Sequence, residues 1–83
     1  LWEGGIVRAL QKAIGERTKH RRMERHLLQK ELAALVGWQP DYLSRFERGD
    51  WAQIDPSKLC AIGDALQIDL NWLVRGQSLQ SLT

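Results

Sequence analysis

The sequence contains few of the residues that cross-link small proteins or bind metals. Its 83 residues include a single cysteine, Cys60, so an internal disulfide bond is excluded. His20 and His26 are six residues apart and do not share a helical face, so together with one cysteine they do not make a zinc site. We therefore expect no metal and no cofactor, and a short chain that is stabilised by compact packing or by a partner.

Long apolar runs are also missing. No stretch approaches the roughly 20 consecutive apolar residues of a membrane span, and no segment has the pattern of a signal peptide. A single cysteine fits a reducing compartment, so we expect a cytoplasmic protein without membrane contact. Because the first residue is Leu1 and not Met, a longer native chain with a further domain or protein partner stays open as an alternative.

Strand signals are weak, because no segment alternates regularly between β-branched and polar residues. Helical periodicity is strong, and Ile6, Leu10 and Ile14 are spaced for one face of a first helix. Gly15 interrupts this helix, at a cost on the order of 1 kcal/mol relative to alanine. The pattern therefore predicts a helical N-terminal extension over residues 1–12, which is a separate or frayed turn in front of the main domain.

Start and stop signals divide the rest of the chain into four further helices. A helix from about Gln29 ends before Gly37, because a left-handed residue after a helix is usually glycine. Pro40 is favoured at the first position of the next helix, where its missing N–H leaves no bond unmade. The remaining signals are Gly49 as a stop, Asp55 and Pro56 as a start, Leu66 as an approximate end, Asp69 as a cap and Gly76 as a stop. They predict an all-α domain of five helices over residues 13–76 and a flexible tail over 77–83.

Apolar residues at helical spacing identify the expected core. They are Leu32, Ala33, Leu35, Val36, Leu43, Phe46, Leu59, Ile62, Leu66, Trp72 and Leu73. Cys60 is expected to be a small core residue rather than a nucleophile. Trp51, in the loop after the third helix, is expected to cover the core, with an exposed contact as the alternative.

Charge is unevenly distributed along the chain, although its net value is only +2. Residues 1–48 hold ten Lys and Arg against six Asp and Glu, whereas residues 49–83 hold two against four. The densest stretch, residues 17–25, carries five basic side chains and one acidic one. This asymmetry favours a polyanionic partner for the first half, and a solvated helix surface is the alternative.

Two short helices joined through a glycine have the geometry of a helix-turn-helix. Ala33 supplies the small residue at their crossing, Gly37 the turn, and Trp38 an apolar plug for the corner. The stretch "QKELAALVGWQPDYLSRFERG", residues 29–49, resembles the Cro/cI-type (XRE) helix-turn-helix family. The matching residues are Gln29, Leu32, Ala33, Gly37, Leu43, Ser44, Arg45, Glu47 and Gly49.

The resemblance covers about residues 13–76 and implies a lambda-repressor-like five-helix domain. Proteins of this family are bacterial or phage transcription regulators, repressors among them, which bind double-stranded DNA without enzymatic activity and usually as homodimers. The last helix, with the apolar stretch "LNWL", is the expected dimer surface. The alternative function is a protein-interaction module, such as an antitoxin or a scaffold, that uses the same fold.

The resemblance also places the third helix in the major groove, with its N-terminal residues at base edges. The expected base contacts are Gln39, Pro40, Asp41 and Arg45. Arg45 is the strongest candidate because its guanidinium can bind guanine O6 and N7 together. For Asp41, a purely structural role is an equal alternative, since an acidic residue in the first turn of a helix interacts favourably with the helix dipole.

Further residues are expected at the phosphate backbone or inside the domain. The expected backbone contacts are Gln29, Lys30, Tyr42, Ser44, Arg48, Lys19 and Arg21. A packed side chain is the alternative for Tyr42, and a solvated one for Lys19 and Arg21. The family also implies a structural salt bridge between Arg22 and Glu47.

Three features depart from the family pattern. Leu28 stands where a capping Ser, Thr or Asn is usual, so the second helix lacks a side-chain cap. Thr18 and Arg21 replace residues that are often apolar, which predicts a thinner core. The loop after Gly49 is longer than usual and acidic, which predicts weaker nonspecific attraction to DNA.

Overall fold

The computed structural model describes residues 3–53 and 55–76. These residues form five α-helices: α1 (Glu3–Glu24), α2 (Gln29–Val36), α3 (Pro40–Glu47), α4 (Pro56–Leu66) and α5 (Leu70–Arg75). The described part of the chain contains no strand. The all-α, five-helix architecture is therefore confirmed, whereas the tail expected over 77–83 lies outside the described residues.

Helix α1 continues through Gly15, so the break expected from the sequence does not form. The glycine is there because α3 packs directly on its backbone. A Cβ atom at Gly15 would lie 2.5 Å from the carbonyl oxygen of Glu47 and 2.6 Å from that of Phe46. The close approach of two helices, rather than a helix end, explains this residue.

The capping signals act as the sequence predicts. The carboxylate of Asp55 accepts from the backbone N–H of Ser57 at 3.0 Å, and that of Asp69 from Trp72 N–H at 2.7 Å. Helix α2 has no such cap at Leu28, but the N–H of Leu28 donates to the carboxylate of the helix's own Glu31 at 2.7 Å. This reverse half of a capping box replaces the missing side-chain cap.

The core lies between all five helices. Its fully buried members include Ile14, Leu32, Leu43, Phe46, Ile62, Leu66 and Leu73. The ring of Trp51 stacks on Phe46 at 4.4 Å, and its indole N–H donates to the Phe46 carbonyl at 2.9 Å. Trp51 therefore covers the core, as expected, and its loop is anchored to α3.

Three apolar residues that the sequence predicts for the inner face of a helix are exposed in the structure. Leu35 is 64% exposed, because it follows Ala33 by two residues and so points about 200° away from it around α2. Cys60 is exposed on α4, and Ile6 is exposed on α1 before that helix reaches the core. In their place Thr18 is fully buried, and its hydroxyl donates to the Ile14 carbonyl at 2.9 Å.

None of the helices in the described ranges is long and apolar enough to cross a membrane.

Candidate nucleic-acid interface

Helix α3 is divided into a buried face and an exposed face. Leu43, Phe46 and Glu47 are buried against the rest of the domain. The four residues expected at base edges are all exposed: Gln39, Pro40, Asp41 and Arg45. Pro40 occupies the first turn and Gln39 the N-cap position, where the Gln39 side chain makes no capping hydrogen bond. The tip of α3 thus presents polar groups to solvent on a helix whose other side is fixed.

The turn between α2 and α3 is built from a glycine and a tryptophan. Gly37 has φ 75°, and the N–H of Trp38 donates to the Ala33 carbonyl at 2.9 Å. The Trp38 ring meets the edge of Tyr42 at 5.0 Å and lies 5.2 Å from Phe46. This aromatic contact closes the corner and fixes the angle between the two helices.

A buried ionic network joins α3 to α1 and α2. Arg22 Nε lies 2.6 Å from Glu47 Oε2, and Arg22 Nη2 lies 3.1 Å from Oε1, so the expected partners meet through two parallel bonds. The amide of Gln29 donates to Glu47 Oε1 at 2.9 Å, and Arg22 Nη1 donates to the Leu27 carbonyl at 2.8 Å. Because the carboxylate has several donors, its burial is compensated and the orientation of α3 is fixed.

Two arginines near the end of α3, Arg45 in the helix and Arg48 at its C-cap, have different surroundings. Arg45 is 57% exposed, and its Nε lies 4.0 Å from Oδ2 of Asp50, which is itself 68% exposed. Arg48 donates from Nη1 to the Ser44 hydroxyl at 3.0 Å. The structure therefore places Ser44 and Arg48 together, and holds Arg45 beside an acidic group of the following loop.

The other residues expected at the phosphate backbone are spread over three helices. Lys19 and Lys30 are exposed on α1 and α2, and Tyr42 is half-buried against Trp38. Arg21 is half-buried at the contact of α1 with α5, where its guanidinium lies 5.3 Å from the Trp72 ring centre and 3.3 Å from Glu24. Arg21 is therefore already engaged by Trp72 and Glu24 at the edge of the domain, and its contact with phosphate stays a prediction.

Two basic residues that the sequence did not single out have defined positions. Lys58 Nζ lies 5.2 Å from the ring centre of Tyr42 and 5.7 Å from that of Trp38. Arg17 donates from Nη1 to the carbonyls of Leu73 and Val74, both at 3.0 Å, and so satisfies the end of α5. Both contacts join distant parts of the chain, so no local motif indicates them.

The groove between α3 and the loop before α4 alternates acidic and basic side chains. It is lined by Tyr42, Arg45, Asp50, Trp51, Ala52, Gln53, Asp55 and Lys58. Hydrogen bonds from the hydroxyl and the N–H of Ser57 lower the pKa of Asp55 from its usual value of 3.8, and the charge of Lys58 lowers it further. Asp55 is therefore ionised at neutral pH, and the groove is not uniformly positive.

The fold and this exposed helix define a helix-turn-helix domain. The sequence model of the helix-turn-helix family HTH_3 matches residues 19–73, which is more than half of the chain, so the protein belongs to that family. The structure is similar to the crystal structure of a hypothetical transcription factor, NHTF, from Neisseria, with a TM-score of 0.73 and 25% sequence identity. That similarity covers 88% of this chain and 80% of the other. No curated protein matches the sequence.

Proposed function

We propose that this protein is a sequence-specific DNA-binding transcriptional regulator, without enzymatic activity, that inserts α3 into the major groove. The observation that carries the proposal is the division of α3 into two faces. One face is fixed by the core and by the buried Glu47, whereas Gln39, Asp41 and Arg45 project to solvent. A recognition helix needs this combination, because base readout requires side chains on a rigid support.

Each exposed residue of α3 has a role that suits its chemistry. Arg45 offers a planar fork of donors to guanine, and the Gln39 amide can donate and accept at adenine. Asp41 can accept from cytosine N4, and Pro40 can contact a thymine methyl group while it fixes the start of the helix. These four residues are proposed to read sequence.

Residues around α3 are proposed to hold the phosphate backbone, which positions the helix without reading sequence. Gln29 supports this role because one N–H of its amide bonds Glu47, which leaves the second N–H to donate outward. The other proposed contacts are Lys19, Arg21, Lys30, Tyr42, Ser44 and Arg48. The similar Neisseria protein, described as a hypothetical transcription factor, supports the same class of function.

The protein is further proposed to bind as a homodimer, with each α3 in a major groove about one helical turn from its twin. In the expected dimer stretch "LNWL", Leu73 is fully buried and so serves the core. Leu70 is 41% exposed at the start of α5, which supports it as the apolar contact.

In vitro selection of bound DNA sequences tests the proposal, with Arg45→Ala and Arg48→Ala compared against the unchanged protein. We expect selection of a defined sequence and an affinity that falls steeply with salt. Arg45→Ala should relax the preference at one base pair, with a loss of about 1–3 kcal/mol for the selected site. Arg48→Ala is the matched control, because it removes the same charge from the position that directly follows α3. It should weaken binding to all sequences alike and reduce the salt slope by about 1.

Two results would contradict the proposal. The unchanged protein could bind no DNA sequence above the nonspecific level, or Arg45→Ala could leave the selected sequence as it was. Circular dichroism of both variants would show whether the helices are retained, so a loss of binding is not confused with unfolding.

A protein-interaction module is the second candidate, and one observation favours it. Exposed Leu35 borders a shallow groove between α2 and α4, with Val36, Ala61 and Ala65. An exposed Trp51 would suit the same function, but that side chain covers the core. A salt titration separates the two candidates, since an interaction module would show no sequence preference in DNA binding and no effect of Arg45→Ala.

A further inference from the structure

We propose that Asp50 determines how selectively Arg45 reads DNA, by placing a negative charge beside the Nε of its guanidinium that disfavours phosphate there. This inference rests on the proposed function and deepens it, because it concerns the arginine at the centre of the candidate interface. The observation behind it is the 4.0 Å separation of Arg45 Nε and Asp50 Oδ2 at the end of α3.

The backbone of Asp50 is fixed on both sides. Before it, Gly49 has φ 77° and lies so close to α1 that a Cβ atom would be 2.7 Å from the Cα of Lys12. After it, Trp51 is stacked on Phe46 and bonded to its carbonyl. The N–H of Asp50 itself donates to the carbonyl of Arg45 at 2.9 Å. The backbone of Asp50 is therefore fixed next to the end of α3, within reach of Arg45, while its carboxylate is exposed.

The contact leaves the base-reading part of the guanidinium available. An arginine has five N–H donors, and the carboxylate lies nearest Nε. The two terminal nitrogens can then form the paired bonds to O6 and N7 of guanine. The 4.0 Å separation is too long for a hydrogen bond, so the pair exerts a mainly electrostatic influence and permits small adjustments of the arginine.

The same carboxylate acts differently toward phosphate. Nonspecific complexes depend on contacts between basic side chains and phosphate groups. A phosphate that approached Arg45 from the side of the loop would meet the negative charge of Asp50, and the nearby Asp55 lines the same groove. Asp50 therefore lowers the contribution of Arg45 to nonspecific affinity while it preserves the contribution to base reading.

The test compares Asp50→Asn with Asp64→Asn in the full chain. Both variants remove one negative charge with little change of shape. Asp64 is an exposed residue of α4 that lines a different groove, with Leu35 and Val36. Binding of each variant to the selected DNA and to unrelated DNA is measured as a function of salt concentration.

We expect Asp50→Asn to raise affinity for unrelated DNA more than for the selected DNA, so that their ratio falls several-fold. Its nonspecific binding should also depend more steeply on salt, by about 0.9 in the logarithmic slope for one added phosphate contact. Asp64→Asn should change both affinities alike and keep the ratio. Asp50→Glu, which retains the charge, should restore part of the selectivity.

This inference would be overturned if Asp50→Asn left the ratio of selected to unrelated DNA affinity unchanged, or if Asp64→Asn lowered that ratio equally. Either result would leave the proposed function standing. Failure of the unchanged protein to select any DNA would contradict the proposed function, and this inference with it. The order of the Arg45 side chain, measured by ¹⁵N relaxation at Nε, should fall in Asp50→Asn only, and an identical order in all variants would also count against the contact.

Discussion

Glu47 is the residue where three helices meet, because its carboxylate binds Arg22 of α1 and Gln29 of α2 from its own position in α3. Both charged side chains of the pair are nearly inaccessible, at 9% and 2% exposed. A buried charge of this kind is tolerated only while all its donors are present. The angle at which α3 projects from the domain is thus fixed at the scale of one side chain.

Replacement of Glu47 by alanine should lower the free energy of unfolding by about 3–5 kcal/mol, because it leaves the Arg22 guanidinium buried without its partner. Urea unfolding followed by circular dichroism measures the change. Glu24→Ala is the control, since Glu24 pairs with Arg21 and His20 at the surface and such pairs contribute at most about 1 kcal/mol. Equal effects of the two substitutions would show that the Glu47 network does not hold α3.

The sequence predicted the exposed tip of α3 better than it predicted the contacts of the surrounding side chains. The family resemblance predicted the salt bridge between Arg22 and Glu47. The expected place of α3 in the major groove predicted Arg45 as a base contact. The contacts of Lys58 with Trp38 and of Arg45 with Asp50 were not predicted. Both depend on the path of the loop between α3 and α4, which no short-range pattern determines.

At the scale of helices, boundaries were predictable where a local signal terminates the backbone hydrogen bonds. Proline begins α3 and α4, aspartate caps α4 and α5, and glycine follows α2, α3 and α5, whereas Leu28 before α2 and Gln67 after α4 give no such signal. The continuity of α1 could not be predicted, because Gly15 looks like a helix breaker when its neighbours in space are unknown. The exposure of Leu35 on α2 and of Cys60 on α4 has the same origin, since the spacing of apolar residues in a short helix does not reveal which of them the rest of the domain covers.

Gly15→Ala and Gly5→Ala should therefore have opposite effects on stability, although both place alanine in α1. An added Cβ at Gly15 would collide with the backbone of Glu47 and Phe46, which should destabilise the domain by about 1–3 kcal/mol. A Cβ at Gly5 has nothing within 4 Å, so the substitution should be neutral or stabilise the helix by up to about 1 kcal/mol. Thermal unfolding of the two variants measures both. A stabilised Gly15→Ala would show that α1 and α3 do not pack this closely.

The start of α4 should give the stability of the domain an acid-sensitive component. The Ser57 hydroxyl and N–H lower the pKa of Asp55 below 3.8, so the unfolded chain binds its proton more readily than the folded chain. This contribution is complete above the usual aspartate pKa and is lost as pH falls through the lower, folded-state pKa. Urea unfolding between pH 5 and pH 2 measures this contribution. The free energy of unfolding should fall less steeply with acidification in Asp55→Asn, which keeps a capping oxygen but does not titrate.

Ser57→Ala serves as the partner experiment for Asp55, because it removes the hydroxyl donor at 2.8 Å and keeps the backbone one. On acidification, its free energy of unfolding should decrease by an amount between those of the unchanged protein and Asp55→Asn. Identical acid profiles for all three proteins would mean that the cap does not contribute to pH dependence.

At the scale of the whole molecule, the acidic second half of the chain does not form a surface of its own, because Asp50 and Asp55 line a groove together with Arg45 of α3. Helices α2 and α3 carry most of the proposed DNA contacts, whereas α4 and α5 contain a single acidic residue, Asp64, and the exposed Leu70. The exposed Leu70 favours α5 for the proposed contact with a second copy, and the exposed polar residues of α3 favour that helix for the proposed contact with DNA.

Leu70→Glu should therefore shift the protein from dimer to monomer and weaken binding to a two-half-site DNA, because it places a charge in the proposed apolar contact. Leu35→Glu is the matched control: this leucine is more exposed, at 64% against 41%, but it lies on α2. Sedimentation equilibrium and binding to DNA with half-sites about one helical turn apart measure both effects. If Leu35→Glu dissociates the dimer and Leu70→Glu does not, the contact lies at the α2–α4 groove. If the unchanged protein is a monomer that binds single half-sites, dimer contacts through α5 and through the α2–α4 groove are both excluded. A second recognition helix would then have no part in choosing the DNA sequence.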